Sequence, residues 1–102
     1  VNIQTSADTG GVVHVSVAGE LDMATADSVS EALNTAIAAP GATRILVDFA
    51  QVGFCDSSGL NVLDRAYGAA TAEGVAFQLV GLQPPVRRVL ELLGMLDTLT
   101  RS

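Results

Sequence analysis

The spacing of apolar positions changes several times along the chain, and each change marks an element. Val13, Val15 and Val17 alternate with Val12, His14 and Ser16, which is the period of two expected of a strand. Ahead of them, Asp8-Thr9-Gly10-Gly11 reads as a turn, fed by a weaker strand over residues 2–7. Gly19-Glu20-Leu21-Asp22 ends the alternating strand. From about 24 to 38 the period becomes helical. Val29, Leu33, Ala36 and Ile37 form one stripe, Asp22 or Thr25 is available as a cap, and Pro40-Gly41 is a stop.

Residues 44–49, Arg-Ile-Leu-Val-Asp-Phe, are almost continuously apolar, which predicts a central strand covered on both faces. A second helix is expected over about 58–73, carried by Leu60, Leu63, Tyr67 and Ala70 and closed by Gly74. Residues 75–80 predict another buried strand. Pro84-Pro85 opens a third helix running to about Leu93, with Gly94 as its stop, and residues 97–100 suggest a short final strand.

The expected order is therefore β-β-α-β-α-β-α-(β). Strands alternating with helices imply parallel pairings, right-handed crossovers and helices packed on the sheet. No repeat, linker or low-complexity stretch interrupts the pattern, so one domain is expected to fill residues 1–102. In open α/β sheets function gathers at the carboxyl ends of the strands. Asp22 and Asp56-Ser57 each follow a strand, and both are expected at that edge.

Composition narrows the function. The hydrophobic share of 49% rules out disorder, and with aromatics at 4% the core must be built from Val, Leu, Ile and Ala. The net charge is −6, with five Arg and no Lys among the cations. That balance disfavours nucleic acid and anionic membrane surfaces as partners and fits a basic protein partner better. A single cysteine, Cys55, cannot form an internal disulfide, which fits a reducing cytoplasm. No apolar run approaches the ~20 residues that span a bilayer.

The segment Asp56-Ser57-Ser58-Gly59-Leu60 lies where a strand gives way to a helix. Serine or aspartate there can bond the free N–H groups of the first helical turn, and the same N–H groups attract an anion such as a phosphoserine. The serines can therefore be a cap, a nucleophile or a phosphorylation switch. One cap needs one side chain, and three candidates in succession leave at least one hydroxyl free; the capping is expected to be shared by Asp56 and Ser58. Gly59 is expected to keep the turn slim enough for a partner's active site to approach.

A nucleophile finds no support. The one histidine, His14, sits mid-strand, and no G-x-S-x-G elbow is present. One Cys and one His offer no metal site at ligand spacing, and neither a P-loop nor G-x-G-x-x-G occurs, so no cofactor is expected. Cys55 reads as core, and Arg87-Arg88 as a solvated helix face that a partner's acidic patch could use.

Taken in order, Gly19-Glu20-Leu21-Asp22, Val47-Asp48-Phe49, Asp56-Ser57-Ser58-Gly59-Leu60 and Pro85-Val86-Arg87-Arg88-Val89-Leu90 before Gly94 resemble the STAS family, in particular bacterial anti-sigma factor antagonists. The resemblance spans nearly the whole chain; Met23-Ala24 departs from it, where many relatives carry polar residues. It implies an α/β fold with a four- to five-stranded mixed sheet and three or more helices. It also implies a cytoplasmic, non-enzymatic partner switch. The chain would bind a serine-kinase anti-sigma factor and free a sigma factor. It would be released by phosphorylation of Ser57 and restored by a PP2C-type phosphatase. Asp22, Asp56, Ser58 and Gly59 would form the switch loop and partner-binding surface, and the chain would be a monomer or weak dimer. Two other roles remain open within the same resemblance: the regulatory STAS domain of an anion transporter or stress-signalling complex, and a nucleotide-binding STAS domain.

Overall fold

The computed structural model describes residues 1–101. Four strands, β1 (Asn2–Ala7), β2 (Val12–Leu21), β3 (Arg44–Cys55) and β4 (Ala76–Val80), form one sheet in the order β1-β2-β3-β4. The turn before Val12 makes β1 antiparallel to β2, with the Asp8 carboxylate holding Gly10 N at 2.8 Å and Val12 N at 3.1 Å. β3 and β4 run parallel to their neighbours, so the sheet is mixed. The helices are α1 (Ala26–Ile37), α2 (Ser57–Ala72), α3 (Pro84–Leu92) and α4 (Leu96–Arg101).

Strands β2, β3 and β4 follow one another in sequence and in space. A right-handed crossover that always steps in the same direction leaves its helices on the same face of the sheet. The inward residues Val13, Val15, Val17, Ile45, Val47, Phe77 and Leu79 accordingly share one core with Val29, Leu33 and Ile37 of α1 and Leu63, Ala66 and Ala70 of α2. The opposite face stays partly open: His14, Ser16 and Asp48 are exposed, while Leu46, Gln78 and Val80 are half-buried. This corrects the expectation of a β3 covered on both faces. Its continuous apolar run reflects partial shelter of Leu46, not a second helical layer.

The second correction concerns the C-terminal end. Residues 97–100 lie in helix α4, not in a strand. Leu96 and Leu99 fall at helical spacing, Leu99 is buried, and the Gln78 amide donates to the Thr100 carbonyl at 3.0 Å. Four residues are too few for either period to declare itself in sequence.

Strand β3 is also longer than the 44–49 expected, and the extension shapes the functional edge. Its pairing with β2 slips twice: Ser16 and Ala18 face Asp48 and Gln51, then Gly19 and Glu20 face Val52 and Phe54. Each slip is a bulge that adds a residue to β3. The inward residues become Phe49, Val52 and Cys55, spaced by three. That spacing hides the strand from any reading based on alternation. β4 pairs only as far as Asp48↔Val80 and β1 only to Asn2↔Ala18, so the last residues of β2 and β3 continue past their neighbours as a two-stranded ribbon.

Candidate functional site

The ribbon ends with Leu21 opposite Cys55, and the Asp56 N–H donates to the Leu21 carbonyl at 3.1 Å. Asp22 and Asp56 therefore leave the sheet side by side at its carboxyl edge, as the sequence predicts. Each begins a turn into a helix, and the two turns use their polar groups differently.

At the start of α1 the Asp22 carboxylate accepts from Ala24 N at 2.9 Å and Thr25 N at 3.1 Å. The Thr25 hydroxyl donates to the Glu20 carbonyl at 2.9 Å and accepts from Asp22 N at 3.0 Å. Thr25 is the N-cap residue, yet it caps no helical N–H with its side chain. The hydroxyl instead ties the helix start to the strand end.

At the start of α2, Asp56 is in extended backbone conformation and its Oδ1 accepts from Ser58 N at 2.9 Å and Gly59 N at 3.2 Å. Asp56 alone caps the helix, which corrects the shared capping expected of Asp56 and Ser58. The cap satisfies two of the N–H groups that a helix start leaves unpaired. Ser57 is the first helical residue and is exposed, Ser58 is half-buried, and neither hydroxyl has a hydrogen-bond partner among the described residues.

Gly59 is buried, and its closest approaches lie within the chain. A Cβ there would stand 2.5 Å from Leu21 Cγ, 2.8 Å from Cys55 Sγ and 2.8 Å from the Leu21 carbonyl oxygen. Within the chain the absent Cβ has a packing role: it lets α2 settle against the end of β2. Cys55 beneath it is buried, and burial, with the Asp56 carboxylate, pushes its thiol up to about 11. A thiol that stays protonated at neutral pH is a poor nucleophile.

His14 is half-exposed on the open face, 3.7 Å from Asp8. It lies seven residues of extended strand from Leu21, on the order of 20 Å away, too far to serve Ser57 as a base. Among the described residues, no group of three or more His, Cys, Asp or Glu side chains could hold a metal ion. No helix there is long and apolar enough to cross a membrane.

The two serines open onto different surfaces. Ser58, Asn61, Val62 and Arg65 of α2 face Met23, Ala26, Asp27 and Ser30 across a polar groove between α1 and α2. Ser57, Leu60, Asn61 and Asp64 instead form one wall of a groove whose far wall is Leu93 and Met95, in the turn between α3 and α4. The one charged side chain lining the Ser57 groove is acidic, and Arg65 lies on the other side of the helix.

Sequence reasoning missed the apolar residues around this edge. Met23 is 80% exposed, Phe54 51%, Leu92 72% and Leu93 57%. Met23 directly follows Asp22, Phe54 lies two residues before Asp56, and Leu93 lines the Ser57 groove. The available signal was the pair Leu92-Leu93 at a helix end, where a stop normally carries polar residues.

Three comparisons bear on the assignment. Residues 5–101 match the family described as "Mlab, STAS domain". The anti-sigma-F factor antagonist RsfB of Mycobacterium tuberculosis is 35% identical over 91 residues, 89% of this chain and 73% of that protein. Among solved structures, an anti-sigma factor antagonist from Mycobacterium paratuberculosis superposes with a TM-score of 0.80 at 34% identity, covering 98% of this chain and 84% of that one. The anti-sigma factor antagonist SpoIIAA in its unphosphorylated form gives 0.81 at 26% identity, covering 94% and 84%. The phosphorylated form of SpoIIAA, a Bacillus cell fate determinant, gives 0.75 at 25%, covering 97% and 88%.

Proposed function

The chain belongs to the STAS domain family, and from that premise we propose that it is an anti-sigma factor antagonist switched by phosphorylation at Ser57. As a STAS domain over residues 1–102, it binds a serine-kinase anti-sigma factor in the cytoplasm and so releases a sigma factor. It is a regulator, not an enzyme, and it works without a cofactor or a nucleic-acid contact of its own. The relatives named as antagonists support the role, and the solved phosphorylated form of SpoIIAA supports the switch.

The observation that carries the site assignment is the contrast between Ser57 and the groups around it. Asp56 has already taken the N–H groups of Ser58 and Gly59, so the Ser57 hydroxyl is spare and faces solvent. Phosphorylation would form an Oγ–P bond as the bond between the γ- and β-phosphates of ATP breaks, with the hydroxyl proton taken by a base of the kinase. A PP2C-type phosphatase would return the hydroxyl. The product carries about −1.5 to −2 charges beside the Asp56 carboxylate. Against an acidic group of a docked partner ~6 Å away the repulsion is roughly 1–5 kcal/mol, depending on whether the effective dielectric is nearer 80 or 20. Since ~1.4 kcal/mol is tenfold in affinity, this charge is enough to end a protein contact without unfolding the domain. With the N–H groups of Ser58 and Gly59 held by Asp56, a phosphate on Ser57 would not find its hydrogen bonds there.

Incubation with purified ATP-loaded kinase-type anti-sigma factors, read by mass spectrometry and by binding, tests this. Ser57→Ala is expected to bind and stay unmodified, and Ser57→Asp to bind poorly. Full phosphorylation of Ser57→Ala would show that another residue is the acceptor.

A further inference from the structure

We propose that β1 pairs edge to edge with β1 of a second copy of this chain, antiparallel across a twofold axis at Thr5. Ile3 of each copy then enters the groove between β1 and α1 of the other.

The two edges of the sheet differ. β4 has α4 packed against it, tied by the Gln78 amide donating to the Thr100 carbonyl at 3.0 Å. β1 has β2 on one side and no strand on the other. The Asp8 N–H donates to the Val12 carbonyl at 3.0 Å, and in an antiparallel pair the residues whose backbone groups face the neighbour alternate. Ser6, Gln4 and Asn2 therefore turn their N–H and C=O groups toward β2, while Ala7, Thr5 and Ile3 turn theirs outward. Such an edge is normally guarded by a charge, a proline or a bulge. Asn2–Ala7 has no charge and no proline, and its register with β2 runs without a break. At a net charge of −6 two copies repel over most of their surface, and an uncharged strand lets them meet.

The register follows from the faces. Ile3, Thr5 and Ala7 stand opposite Val17, Val15 and Val13, which are buried in the core, so all six side chains share the α1 side of the sheet. To extend the sheet with that side inward, these residues must oppose one another, because a slip by one residue turns every side chain over. Placing Thr5 opposite Thr5 of the second copy puts Ile3 opposite Ala7, and each such pair exchanges backbone hydrogen bonds through the outward groups. The groove favours this register. It holds about 550 Å³, with Thr5, Ala7 and Val13 on the strand side and Ala32 and Ala36 of α1 on the helix side. These small side chains leave space that Ile3 of the second copy, beside Ala7, fills with apolar contact. Glu31, the one charged side chain on the lining, is present twice in the pair and keeps it weak. Antiparallel pairing also points the carboxyl edges of the two sheets in opposite directions, so each Ser57 stays open to a partner of its own.

The test is sedimentation velocity of the unphosphorylated chain from micromolar to millimolar concentration, comparing wild type with Thr5→Pro and Thr5→Val. The Thr5 N–H points away from β2, so proline there spares the β1–β2 hydrogen bonds, and far-UV circular dichroism checks the fold. Wild type and Thr5→Val are expected to share one monomer–dimer equilibrium, and Thr5→Pro to dimerise at least roughly tenfold more weakly. Hydrogen exchange on the wild type gives a measure that needs no variant. The N–H groups of Ile3, Thr5 and Ala7 are expected to exchange more slowly as concentration rises, while those of Gln4 and Ser6, already bonded to β2, change little. A wild type that stayed monomeric throughout would overturn the pairing. So would a dimer that Thr5→Pro left as strong, or one in which exchange at Ile3, Thr5 and Ala7 did not depend on concentration.

Discussion

The two helix starts at the carboxyl edge have the same parts, an aspartate after a strand and a hydroxyl residue close behind it, yet they assign opposite fates to the hydroxyl. At α1 the Thr25 oxygen accepts from Asp22 N and donates to the Glu20 carbonyl. At α2 Asp56 supplies the whole cap, and the Ser57 oxygen has no partner among the described residues. The comparison shows how a free hydroxyl is produced. The backbone donors of the first turn are satisfied by a neighbour that comes one residue earlier, so the serine is left with no structural duty. A hydroxyl used structurally costs stability to modify, whereas a spare one can carry a phosphate at little cost to the fold.

The contrast can be broken most severely at Gly59. Gly59→Ala places a methyl group within 2.8 Å or less of Leu21 and Cys55 atoms. Either Leu21 or the first turn of α2 must move, and a loss of about 2–3 kcal/mol is expected in urea unfolding. Partner binding should weaken with it, because Ser57 lies in that same first turn of α2. Next comes Asp56→Ala, which removes the only side-chain cap of α2 and should cost about 1–2 kcal/mol, visible as a lower denaturation midpoint.

Thr25→Ala and Ser57→Ala form the direct test of the comparison. The first removes two hydrogen bonds at α1 and should cost about 1 kcal/mol; the second removes none and should stay within about 0.5 kcal/mol of wild type. Equal costs in thermal unfolding would mean that Ser57 does have a structural role. The smallest effect at neutral pH belongs to Cys55. Its thiol is raised from 9.0 to about 11 in the folded chain, so the folded state holds its proton more tightly. The stabilisation is complete below about pH 9 and is lost as pH climbs toward 11. Alkylation at pH 8 should accordingly be slow until denaturant is added.

Much of this edge was legible from the chain alone. Asp22 and Asp56 could be placed together because right-handed βαβ units in succession align the carboxyl ends of their strands. The helical stripe of α1 was visible because Val29, Leu33, Ala36 and Ile37 obey one period. The last six residues of β3 were not visible, since two bulges break the alternation on which strand reading depends. The same holds for the groove beside Ser57. Its far wall comes from Leu93 and Met95, more than thirty residues along the chain.

What the sequence determined by itself is therefore local and periodic: the strands and helices up to α3, the acidic start of α2, and an ordered set of motifs that places the chain among STAS domains. Tertiary structure decided which hydroxyl is spare, because hydrogen bonds to backbone N–H groups depend on dihedral angles that residue type does not set. It decided that Gly59 serves packing inside the chain, because the crowding comes from Leu21, thirty-eight positions away. It also decided that Met23 lines a groove with Ser58 and Leu93 one with Ser57. Proximity between distant segments is fixed only when the strands pair, and no local pattern in the chain encodes it.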